Sequence, residues 1–76
     1  MVKLKNINKC GDYVTFDGYI NNHPNEDFFM TINLTDDSKS TCSIKNNYYT
    51  EMATLKIFRV LAENGTLPRE MTVMSH

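Results

Sequence analysis

A chain of 76 residues makes one domain, because so short a polypeptide buries only about 60 % of its unfolded surface and has a single core at best. With 41 % hydrophobic and 22 % charged residues it is too apolar for a disordered chain, and eight Lys and Arg against nine Asp and Glu leave a net charge of -1. That balance supplies neither the basic excess of a strong phosphate binder nor the acidic surface of a DNA mimic.

No apolar window of about 18 residues exists, so no membrane span is predicted. The lysines of the opening MVKLKNINKCGDY precede no apolar stretch that would make a signal peptide, and the expected location is cytoplasmic.

The first predicted strand runs roughly from Val2 to Asn8, and Cys10-Gly11-Asp12 turns the chain into a second over Asp12 to Asn22, rich in aromatic and β-branched residues. Asp17-Gly18 within it reads as a two-residue hairpin turn or as a bulge. A turn there would leave a strand of only about four residues before His23-Pro24, so the bulge is preferred. After the turn at Asn22 to Asn25, Phe28, Met30, Ile32 and Leu34 alternate with Phe29, Thr31, Asn33 and Thr35, the period-2 pattern of a strand with one buried face. Asp36 to Lys39 makes a polar turn, and Cys42 and Ile44 continue the alternation as the second arm of a hairpin.

Helical periodicity then runs from Asn47 to Asn64, with Glu51 in the first turn and Asn64-Gly65 and Pro68 as the stop. Winding at 100° per residue puts Ala53, Ile57, Val60 and Leu61 on the face toward the sheet, flanked by Phe58, with Lys56, Arg59 and Glu63 opposite. Arg69 to Met74 alternates weakly, as a short last strand or a frayed end. The predicted fold is α+β: an antiparallel four-stranded meander, with a short fifth strand left open, followed by one helix packed on one face of the sheet.

Little in the chain carries chemistry. Cys10 and Cys42 are expected as free thiols in a reducing compartment, and Asn33-Leu34-Thr35 and Asn64-Gly65-Thr66 match the glycosylation pattern by chance. Two His and two Cys at no ligand spacing predict no metal site. The only nucleophile set is Cys10 or Cys42 with His23 and Asp12 or Glu26, and Cys42 on an apolar strand phase reads as an inert core thiol. Glu26-Asp27 and Asp36-Asp37 are turn acids, and three isolated glycines build no phosphate loop. No enzyme activity and no cofactor are expected.

Two surfaces remain. Lys3, Lys5 and Lys9 lie near Tyr13, Phe16 and Tyr19, so Lys3, Lys5, Tyr13 and Phe16 form the candidate stacking platform for a single-stranded nucleic acid, which the charge balance disfavours. On the helix, Tyr48, Met52 and Leu55 form a second apolar stripe roughly 150 to 180° from the centre of the first. One sheet cannot bury both, so either the C-terminal tail covers this stripe or it is a protein interface, with Arg59 as a nearby anchor. Phe29, on the polar phase of its strand, is a further contact candidate unless it pairs with Tyr13 or Tyr19.

The expected function is therefore a small non-enzymatic binding module that acts on another protein by occlusion, of the kind a phage or mobile element encodes against a host protein. The nine asparagines are compatible with an AT-rich genome. The alternatives are a small nucleic-acid-binding domain and a homodimeric accessory protein in which the stripe is a subunit contact.

Overall fold

The computed structural model describes residues 1–21 and 23–73. In chain order it contains β1 (Val2–Cys10), β2 (Tyr13–Ile20), β3 (Phe28–Asn33), β4 (Thr41–Cys42), α1 (Tyr48–Asn64) and β5 (Met71–Val73), with 3-10 turns at Pro24–Glu26 and Asp37–Lys39. Every strand pairing is antiparallel and the spatial order is β4-β3-β2-β1-β5. The first four strands form the predicted meander, and α1 then carries the chain across one face of the sheet to the far edge. There β5 pairs with β1, Val73 level with Val2 and Met71 with Leu4; Met74 of the predicted tail segment lies outside the described residues.

Strand alternation builds the core. Val2, Leu4, Val14, Phe16, Ile20, Phe28, Met30 and Ile32 are buried on one face, where they meet Ala53 and Ile57 of the helix. Phe16 and Phe28 pack edge to face at 6.4 Å and 78°, the arrangement their ring quadrupoles favour.

Asp17-Gly18 is neither a hairpin turn nor a bulge, which corrects the expectation for that dipeptide. Both residues sit in unbroken register within β2, with Gly18 between Leu4 and Phe28. The Phe28 ring occupies the space that a Cβ on residue 18 would need, so the glycine serves a close approach of ring to backbone. The bulge lies on the neighbouring strand, where register shifts between Lys5 and Asn8. Asn6 takes the left-handed conformation there, with φ 55°, and its amide donates to the Asp17 carboxylate at 2.8 Å. Asparagine tolerates that conformation better than other non-glycine residues, and the extra residue turns Ile7 into the core.

The fourth strand is shorter than the sequence predicts and does not include Ile44. On either side of Thr41–Cys42 serine hydroxyls supplement the pairing: the Ser43 N–H donates to the Phe29 carbonyl at 2.9 Å while Ser43 Oγ accepts from the Phe29 N–H at 2.8 Å, and Ser40 Oγ accepts from the Asn33 N–H at 2.9 Å. Asn33 is buried although it stands on the polar phase of β3. Its Oδ1 accepts from the Thr35 N–H, the Thr35 hydroxyl and the Asp36 N–H at 2.9 to 3.1 Å, which organises the turn that follows.

The helix starts where its cap allows. Asn47 Oδ1 accepts from the Thr50 N–H at 3.0 Å and the Thr50 hydroxyl accepts from the Asn47 N–H at 2.9 Å, a reciprocal capping box. Gly65, with φ 76°, closes the other end through its N–H to the Leu61 carbonyl at 2.8 Å. Thr50, Ala53 and Ile57 are buried against the sheet, and Val60 and Leu61 are half-buried beside them.

Candidate functional site

The helix leaves two surfaces open: its own outer side and the sheet face it does not cover. On the outer side Leu55 is 62 % exposed, Tyr48 54 % and Phe58 41 %. Sequence reasoning placed Phe58 at the flank of the buried face; at 100° per residue it lies about 60° from Leu55 and joins the outer strip instead. Met52 differs in the other direction. It is half-buried and packs against the core, because the sheet side of α1 is wide enough to reach it. Arg59 is exposed beside Leu55, as expected, and among the described residues its guanidinium forms no ion pair. Glu51 is exposed one turn before Leu55 and accepts from the Asn46 amide at 3.1 Å. Over its described residues the C-terminal tail does not cover this strip, since it is spent in pairing with β1.

Leu55 also forms the lip of a groove of about 430 Å³ between the first turns of α1 and the β3–β4 hairpin. Met30, Cys42 and Thr54 line its floor, and Asp37 and Glu51 stand among its other lining residues. No local pattern points to it, because the groove follows from how the helix sits across the sheet.

The uncovered sheet face carries Phe29, 48 % exposed, Tyr13, 42 %, and Tyr19, 39 %. Phe29 stands level with Asp17, and among the described residues its ring forms no aromatic pair with Tyr13 or Tyr19. It lies on the layer opposite the helix strip, so Phe29 and Leu55 cannot belong to one flat interface. The predicted stacking platform needs a correction too: Phe16 is fully buried on the helix side of the sheet, because its strand phase matches Val14 and Ile20. Lys3 and Lys5 do lie on the open face, with Lys5 Nζ 5.6 Å from the Tyr19 ring centroid, whereas Tyr13 stands at the other end of β2. Lys5 is level with Asp17 on one side, and Glu70 precedes Met71, which is level with Leu4, on the other. Acids beside the lysines cancel the local positive potential that a phosphate backbone requires.

The nucleophile set does not assemble. His23 Nδ1 lies 3.3 Å from the Glu26 carboxylate and its ring is 6.4 Å from that of Tyr49. Both cysteines are free: Cys10 is exposed at the end of β1, and half-buried Cys42 packs against the core from the edge strand. Neither hydrogen-bonds His23 among the described residues. No group of three or more His, Cys, Asp or Glu able to hold a metal occurs among those residues, and no described helix is long and apolar enough to cross a membrane. Asn33 of the first glycosylation match is buried and committed to its turn.

No protein-family model, curated protein or solved structure matches the chain.

Proposed function

We propose that this protein is a non-enzymatic binding module whose contact surface is the outer strip of α1, centred on Leu55 with Tyr48 and Phe58, and that it works in the cytoplasm by covering the surface of a protein. The observation that carries this reading is the exposure of three large apolar side chains on one helix face, with a polar and charged surround that includes Glu51 and Arg59. Scattered apolar residues are ordinary on protein surfaces, whereas three on one helix face, two of them aromatic and with a neighbouring arginine, have the composition of interface centres. Phe29 would be a second contact on the opposite layer. An inhibitor of the kind carried by phages or mobile elements fits a surface of this sort, acting by occlusion.

The test compares the wild-type protein with a Leu55→Asp/Phe58→Asp double variant. The variant is expected to keep the far-ultraviolet circular dichroism of the wild type while losing the protein contact that the immobilised wild type makes, with itself or with another chain. A variant that unfolds would make the strip part of the core and overturn the proposal, as would a variant that binds as well as the wild type.

A further inference from the structure

We infer that the occupant of the outer strip is a second copy of this chain, docked helix to helix in antiparallel orientation about a twofold axis through Leu55. The inference rests on the strip being a binding surface and names what covers it; occlusion of a different protein then falls to the opposite layer that carries Phe29. Its warrant is the arrangement of charge and size about Leu55. Glu51 precedes Leu55 by four residues and Arg59 follows it by four. In an antiparallel pair centred on Leu55, the Glu51 of each copy is therefore level with the Arg59 of the other. Winding places the two residues about 40° to either side of Leu55, so with the two Leu55 side chains meeting at the twofold and the helix axes therefore about 11 Å apart, their Cβ atoms approach to about 7 Å, a gap an arginine side chain spans.

The same operation matches sizes. Tyr48 and Ala62 are both seven residues from Leu55, so each end of the strip sets a large ring level with a small residue of the other copy. A parallel pair would instead set Glu51 against Glu51, Arg59 against Arg59 and ring against ring. Opposed helix dipoles also favour the antiparallel arrangement. A surface that complements itself in this way is what an isologous twofold contact needs.

Light scattering on the untagged protein over a micromolar to millimolar series tests the inference. The wild-type mass is expected to rise from 8.8 kDa toward twice that value, and Leu55→Asp is expected to remain at 8.8 kDa. Glu51→Arg and Arg59→Glu, each alone, turn both attractive pairs into repulsive ones and should weaken the dimer by about tenfold. An equimolar mixture of these two variants restores opposite charges at every pair and should regain the wild-type mass profile. A wild-type mass fixed at 8.8 kDa overturns the inference, and so does a mixture no more dimeric than its components. If the wild type stays monomeric while Leu55→Asp remains folded, only the identity of the occupant fails; if Leu55→Asp unfolds, the binding surface fails with it.

Discussion

Gly18 and Asn33 hold positions that few other residues could. Because the Phe28 ring fills the space above Gly18, a Gly18→Ala substitution must push a buried ring out of its contact with Phe16. Overpacking of this kind costs about 1 to 3 kcal/mol, so chemical denaturation should show a lower midpoint with an unchanged slope. Asn33→Ala removes the acceptor for three donors in the turn after β3, whose owners Thr35 and Asp36 can turn to water, so the lost hydrogen bonds cost about 1 kcal/mol. Its unfolding midpoint should fall by a comparable amount, and the same midpoint measurement checks it. Neither role is visible in the sequence, where Asp17-Gly18 reads as a turn or bulge and Asn33 as a solvent-facing strand residue. A glycine's neighbours across a sheet depend on register, and register is a property of three strands at once. The left-handed Asn6 is equally silent, since a bulge leaves little trace in an alternation pattern.

At the scale of elements the periodicities carry most of the information. The β3 alternation and the helical repeat after Asn47 follow from burial of one face, which is why both are legible residue by residue. Tertiary context moved the rest. Past Cys42 the edge strand keeps only mixed contacts, the Ser43 N–H and hydroxyl both bonding the Phe29 backbone, and Phe58 leaves the sheet side because Thr50, Ala53 and Ile57 already fill it. The helix start is set by an Asn-x-x-Thr capping box, so Asn47→Ala should lower stability by about 1 kcal/mol, with the loss in helical signal confined to the first turn. Hydrogen exchange at the amides of Thr50 and Glu51, both of which donate to Asn47, would register that fraying directly, while exchange in the sheet should be unchanged.

For the molecule as a whole, the layering decides which surfaces are free. One helix covers one face of a five-stranded sheet, which leaves the outer strip of α1 and the face bearing Phe29 and Tyr19 on opposite sides. The stripe of Tyr48 and Leu55 was legible as surplus apolar surface, because a single sheet cannot bury two faces of one helix. Its true membership, with Phe58 gained and Met52 drawn toward the core, depended on how the helix is rotated on the sheet. A binding strip filled by a second copy links stability to concentration, since association stabilises only the folded state. The most direct test is the denaturation midpoint of the wild type and of Leu55→Asp as a function of protein concentration. At the dilute end the two should agree within about 0.5 kcal/mol, as for an ordinary surface substitution, and only the wild-type midpoint should climb as the protein is concentrated. A Leu55→Asp protein that is markedly less stable even at the dilute end would contradict this, because Leu55 would then belong to the core of the single chain.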